Sequence, residues 1–210
     1  MRTSMLIAIP TAALIAVALA GCGDRATPAP EPAAPTTTAA PAPLPAADTP
    51  AAAADTGMLP AADTITFAGF GPAAFGADED HVRMAWGKDM EGAPSEPGGC
   101  YVLVPAPRGA PPPRFGFMFE GGKFARMDVR TDAIAAPGGG KVGMPADGIA
   151  RLYPGAEAMP HKYVEGARTL RAKDPAGGAG VLVFETDAKD VVVAWRVGVA
   201  PQVDYVEGCY

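Results

Sequence analysis

The sequence predicts an α+β fold of two similar units, each a short helix packed on an antiparallel sheet of three to four strands. Three observations carry that prediction. First, Phe75-Gly76-Ala77 followed by Asp80-His81-Val82-Arg83-Met84-Ala85-Trp86 is echoed by Val142-Gly143-Met144 followed by Asp147-Gly148-Ile149-Ala150-Arg151-Leu152-Tyr153, a repeat offset by about 67 residues. Second, Val82 with Ala85 and Trp86, and Ile149 with Leu152 and Tyr153, form apolar stripes at helical i, i+3, i+4 spacing. Third, Gly121-Gly122 stands between two β-rich runs, a tight hairpin signal.

The elements follow in order. Residues 1–21 read as a signal peptide: Arg2 is a short positive region, Met5 to Ala20 an uncharged apolar run, and Leu19-Ala20-Gly21-Cys22 its close. A spanning helix needs roughly 20 apolar residues. This run is shorter, contains Pro10 and ends in small residues, the pattern of a cleaved segment. Residues 22–62 are almost wholly Ala, Pro and Thr, without an aromatic residue. Such a segment cannot bury enough apolar surface to offset its ordering, so it is expected to be a disordered tether. At ~3 Å per residue, about 40 residues reach at most ~120 Å.

The first unit is expected over 63–131 and the second over 132–210. Beyond the helices, strands are expected at Tyr101 to Val104, on both sides of Gly121-Gly122, at His161 to Val164, Thr169 to Ala172, Phe184-Glu185, Trp195 to Val197, and Val203 to Val206. A two-residue turn at Gly121-Gly122 would pair Phe119 with Phe124, Phe117 with Arg126 and Phe115 with Asp128. Paired residues share a face, so four phenylalanines would lie on one side, and Met118, Ala125, Met127 and Val129 on the other. Val193, Trp195 and Val197 occupy the matching places of the second unit. One short helix per unit covers only one side. The expectation is therefore a buried phenylalanine side and an open Met/Trp side, with Met118, Met127, Trp195 and Tyr163 as binding residues. The competing reading folds loops or the tether over that second side.

The chain has three cysteines. Lipid on Cys22, which the resemblance of Leu19-Ala20-Gly21-Cys22 to a lipobox implies, would leave Cys100 and Cys209 as a disulfide pair in an oxidising compartment. Two free buried thiols are the alternative. The bridge would stabilise the domain by about 4–5 kcal/mol in the chain-entropy account. The residue set is poor in other chemistry. The domain has one serine, Ser95, in a Gly/Pro loop without a nucleophile-elbow pattern. Gly138-Gly139-Gly140-Lys141 is followed by Val142, where a phosphate loop needs Ser or Thr, and reads as a turn. His81 and His161 are not spaced as a ligand pair with either cysteine, so no metal or cofactor is expected. Asp78, Glu79 and Asp80 read as first-turn charges complementing a helix dipole. Lys+Arg number 17 against 23 Asp+Glu, with no basic block, which argues against nucleic acid as a partner.

Leu19-Ala20-Gly21-Cys22 resembles the lipobox of bacterial lipoproteins. That resemblance implies cleavage before Cys22, a diacylglycerol on its sulfur and a further acyl chain on its amino group. Gly23 in place of Asp implies, by the sorting rule of Gram-negative lipoproteins, a place in the outer membrane, with the domain facing the periplasm. The repeated entry motif, Val142-Gly143-Met144 with Gly155 and Phe75-Gly76-Ala77 with Gly87, is similar to that of the beta-lactamase inhibitory protein family. It is similar also to the small lipoproteins of the outer-membrane barrel-assembly machine. Pro160-His161-Lys162-Tyr163 and Tyr205-Val206-Glu207-Gly208-Cys209 resemble a group of Gram-negative lipoproteins, some with a lectin label. Together these imply a membrane-anchored, non-enzymatic binding domain for an envelope protein. A glycan-binding module and a cell-wall hydrolase are the alternatives.

Overall fold

A computed structural model describes residue 60 and residues 64–109 and 111–209. Cys22, the signal segment and the tether apart from Pro60 lie outside the described residues. The chain begins with three two-residue strands, β1 (Ile65–Thr66), β2 (Gly69–Phe70) and β3 (Ala73–Ala74), which form a small antiparallel sheet. Helix α1 (Glu79–Trp86) leads into β4 (Met90–Glu91), β5 (Tyr101–Pro105), β6 (Phe115–Glu120) and β7 (Lys123–Val129). Helix α2 (Ala146–Leu152) leads into β8 (Glu157–Pro160), β9 (Arg168–Lys173), β10 (Val181–Thr186) and β11 (Val192–Gly198). A 3-10 turn at Gln202–Asp204 follows.

The eight longer-range strands form one antiparallel sheet in the order β4-β5-β6-β7-β11-β10-β9-β8. This corrects the expectation of two similar α+β units. The fold is mostly β, and no unit keeps a sheet to itself. β7 and β11 pair through Trp195↔Val129, Arg196↔Asp128, Val197↔Met127 and Gly198↔Arg126, so the hydrogen-bonded ladder runs straight across the expected boundary. An unpaired strand edge presents free N–H and C=O groups that another strand satisfies; here the two inner edges satisfy each other. The β1–β3 sheet has no counterpart ahead of α2. Two expected strands are also corrected. The chain at 161–164 is a bend, the strand lying just before it as β8, and 203–206 holds part of the 3-10 turn.

Local chemistry explains the helices. Asp78 caps α1 by accepting the His81 N–H at 3.1 Å, and Gly87 ends it at φ 72°, a left-handed conformation that a residue with a Cβ resists. Val82 and Trp86 point inward from it. Both helices and the small sheet pack on one face of the large sheet. A single core there joins Phe70, Val82, Trp86, Phe115, Phe117, Phe119, Phe124, Met127, Val129, Ile149, Leu182, Phe184, Trp195 and Val197. At the β7–β11 seam, Gly198 allows close approach: a Cβ at that position would run into the Cβ of Arg126 and the carbonyl of Ala125.

The assignment of faces is the second correction. In the structure Phe117 pairs with Met127 and Phe115 with Val129, because a register shift lies between Met118 and Phe119. A single extra residue moves everything beyond it to the opposite face. Met127, Val129 and Trp195 therefore join the phenylalanines under the helices, and Trp195 is 1% exposed. Met118 does face the other side, pairing with Arg126, yet it too is fully buried. Met118, Met127 and Trp195 are core residues and offer no binding surface. Val193 is skipped in the β10–β11 pairing and stands exposed.

Candidate functional site

What covers the second face is the C-terminal segment from Val199 to Cys209, which lies across the sheet as a strap. Buried arginines on the sheet hold it through its backbone. Arg126 Nη1 donates to the carbonyls of Gln202 at 2.8 Å and Tyr205 at 2.7 Å, and Arg196 Nε donates to the carbonyl of Val203 at 2.6 Å. Val203 is buried against Val181 and Val183. Gln202 Nε2 donates to Glu120 at 2.6 Å, and Asp204 receives two hydrogen bonds from Arg171 at 3.0 and 3.4 Å. Cys209 closes the strap in a disulfide with Cys100, with a Cα–Cα distance of 5.4 Å and a sequence separation of 109.

The strap leaves open a groove of about 430 Å³ at its β8 side. Pairing fixes the row of sheet residues beneath it: Glu157, Arg171, Val183, Arg196 and, beyond the groove, Asp128 lie in line across β8, β9, β10, β11 and β7. The first four of that row line the groove, with Thr169 and Met159 one step along it and Asp204 and Val206 from the strap. The charges in and around it are paired. Arg196 makes a buried ion pair with Glu185, Arg126 pairs with Asp128 at 2.9 Å, Lys162 with Glu207 at 3.3 Å, and Lys173 with Glu157 at 3.7 Å. A hydrogen bond from its own backbone N–H, then one from Lys162, holds the Glu207 carboxyl below the usual carboxylate range.

At the groove, β8 and the loop after it present three exposed apolar or aromatic side chains. Met159 is 45%, Val164 46% and Tyr163 58% exposed. Tyr163 is thus the one expected binding residue that stands at a surface. His161 shapes this loop: its Nδ1 accepts the backbone N–H groups of Tyr163 and Val164, each at 3.2 Å. Lys162 Nζ sits 4.7 Å from the centre of the Tyr163 ring. The sequence reading passed over Arg171, Arg196 and Glu157, because charged residues on strands ordinarily mark a solvated face. On β9 and β11, Arg171 and Arg196 each stand between two apolar neighbours, Leu170 and Ala172, and Trp195 and Val197, and that alternation was the available signal.

The remaining candidates have structural work. Tyr153, whose hydroxyl burial pushes to a higher pKa, accepts the Gly140 N–H at 2.9 Å and donates to the Pro137 carbonyl at 2.8 Å. That stitches the 138–141 glycine loop to the end of α2. Glu79 binds α1 to β5: it accepts the Tyr101 hydroxyl at 2.6 Å and Arg83 Nε at 2.7 Å. Burial works against its charge, but those two hydrogen bonds outweigh burial and leave its carboxyl below the usual range. Burial, then the Glu79 hydrogen bond, pushes the Tyr101 phenol well up. His81 Nδ1 lies 2.5 Å from the capping Asp78 at an exposed position, and Ser95 is exposed. Among the described residues, no three His, Cys, Asp or Glu side chains gather in a group able to hold a metal ion.

No protein-family model matches the chain, and no curated protein does. Among solved structures, an extracellular protein containing an SCP domain from Bacillus anthracis str. Ames is similar with a TM-score of 0.39 and 12% sequence identity. The similarity covers 60% of this chain and 44% of that one, so the chain spans less than half of the neighbour's length. At that level the likeness carries no argument about function, and the groove and its loop have to speak through their own chemistry.

Proposed function

We propose that this chain is a lipid-anchored envelope protein whose described domain is a binding module and not an enzyme, with another envelope protein as its partner. Leu19-Ala20-Gly21-Cys22 supports the anchor. The observation that carries the binding reading is the groove of about 430 Å³ flanked by exposed Met159, Tyr163 and Val164. Exposed apolar and aromatic side chains beside a concave, hydrogen-bonding surface are the usual composition of a recognition site. Every charged group in the groove is committed to an ion pair, an arrangement suited to orienting a ligand and poorly suited to proton transfer. A photo-crosslinking residue in place of Tyr163, in intact cells, tests this. It should give a discrete adduct with one envelope protein, and the same probe at exposed Met84 on α1 should not. Equal labelling from both positions removes the reading.

A glycan ligand is the second reading, favoured by the exposed Tyr163 ring beside Lys162, which could stack on a sugar. Retention of the protein on purified cell wall, lost on Tyr163→Ala, is the outcome that would favour it.

A further inference from the structure

We infer that the groove receives an extended, uncharged peptide segment of the partner. A backbone carbonyl of that segment lies on the free Nη2 of Arg196, and an apolar side chain packs against Met159, Val183 and Val206. The inference rests on the reading above that the domain binds a protein, and it names what the groove itself takes.

The starting point is the hydrogen-bond inventory of Arg196. Its side chain is charged and the residue only 5% exposed. Nε is spent on the Val203 carbonyl and Nη1 on Glu185. Nη2 has no partner among the described residues. It is not sealed off either: the buried side-chain nitrogens and oxygens without a partner are the indole nitrogens of Trp86 and Trp195. Arg196 lines the groove, and Nη2 is its guanidinium nitrogen without a partner among the described residues. A charged donor at a residue so little exposed makes a strong, charge-assisted hydrogen bond with an acceptor that enters the groove.

Charge then selects among acceptors. Arg196 is balanced by Glu185, Arg171 by Asp204, Lys162 by Glu207 and Lys173 by Glu157. Three of the lining residues, Lys162, Arg171 and Arg196, are cations, and two, Glu157 and Asp204, are carboxylates. With the partners Glu207, Glu185 and Lys173 the four pairs cancel. An anionic ligand has to displace a carboxylate from one of those pairs to reach a cation. A neutral carbonyl oxygen on Arg196 Nη2 displaces none.

The same face already shows what its arginines hold. Arg126 and Arg196 together bind the peptide carbonyls of Gln202, Val203 and Tyr205. A further carbonyl on Arg196 Nη2 would extend that array by one, alongside the strap. Entry along the sheet edge is disfavoured. The His161 N–H bonds to the Ala167 carbonyl, and the β8–β9 pairs continue from it at Met159↔Thr169 and Glu157↔Arg171. By two-residue alternation the outward backbone groups belong to Ala158 and Pro160. Pro160 has no N–H, so a ninth strand finds little to pair with. The peptide has to lie on the face and not at the edge.

The test is a titration of the mature chain followed by NMR, reading the Arg196 Nε–Hε signal and the methyl signals of Met159 and Val183. The probes are doubly blocked acetyl-leucyl-leucine amide, the same peptide with a free carboxylate, and chito-oligosaccharide. The blocked peptide is expected to move all three signals in the millimolar range. Met159→Glu, at an exposed position that leaves the fold intact, should weaken it about tenfold, the effect of ~1.4 kcal/mol. Arg196→Lys keeps a charge opposite Glu185 but removes the planar fork, and should abolish the shift at Val183. No movement with the blocked peptide overturns the inference, as does tenfold tighter binding of the free-carboxylate form, or chito-oligosaccharide moving the same signals. If the groove stays silent while the crosslinker at Tyr163 still captures its envelope protein, this inference falls and the protein-binding reading stands.

Discussion

Trp195 separates two effects that core substitutions usually confound. It is 1% exposed, opposite Val129 on one side and Phe184 on the other, and its indole nitrogen is buried without a partner. Trp195→Ala removes the whole side chain and should cost about 3–5 kcal/mol. Trp195→Phe also loses packing, but it removes a buried N–H whose lack of a partner costs about 1–3 kcal/mol. The two terms oppose each other, so the Phe variant should lie within about 1 kcal/mol of wild type. Urea unfolding followed by far-ultraviolet circular dichroism reads both values, and thermal unfolding gives a second measure at about 2–4 °C per kcal/mol for a domain of this size. A Phe variant as unstable as the Ala variant would refute the reasoning, because it would mean that the indole nitrogen has a partner. An Ala variant as stable as wild type would place Trp195 outside the core.

Other perturbations address other parts of the fold. Cys100→Ser with Cys209→Ser opens a loop spanning 109 residues of separation and should cost up to about 4–5 kcal/mol in urea unfolding; a loss under about 1 kcal/mol would mean that the arginine contacts alone hold the strap. Glu79 is held below its ordinary value of 4.5 by Tyr101 and Arg83 against the effect of burial. Its contribution is therefore complete above that value and lost as pH falls below it through the folded-state pKa. Urea midpoints should drop more steeply with acid for wild type than for Glu79→Gln, and parallel profiles would contradict the assignment. Gly198→Ala should cost about 1–3 kcal/mol by forcing the β7–β11 seam apart, read as a lower melting temperature. For the proposed anchor, Cys22→Ser should abolish palmitate incorporation; undiminished labelling would dismiss it.

Much of the local structure was legible in the sequence because it rests on short-range chemistry. Gly121-Gly122 marked the β6–β7 turn, both at positive φ, and the i, i+3, i+4 stripes found both helices within a residue or two. The cysteine pairing, expected once Cys22 was given to a lipid anchor, stands in the structure as Cys100–Cys209. The faces were not legible. A two-residue period counted back from the turn puts Phe117 opposite Arg126, and the shift between Met118 and Phe119 leaves no mark in the sequence. That one residue moved Met127 and Val129 from an expected open face into the core. The seam was equally hidden, since nothing local in β7 or β11 says that each is the other's neighbour. The groove depended on both. Arg171 and Arg196 become a pair of site residues only once β9, β10 and β11 are laid side by side and the strap is drawn across them.

The disulfide also makes the polypeptide a covalent ring from Cys100 to Cys209. Strands β5 to β11 and α2 all lie within that ring, whereas β1–β3, α1 and β4 lie on the stem leading into it. A pull applied through the N-terminal stem can peel α1 and β4 but delivers its load at Cys100, where the bridge shares it with Cys209 at the end of the strap. The ring cannot then be drawn out as a line. A protease meets the same topology: one cut in the loop between β9 and β10 opens the ring without releasing a fragment, and two cuts inside the ring are needed before any of the ring's own strands can leave.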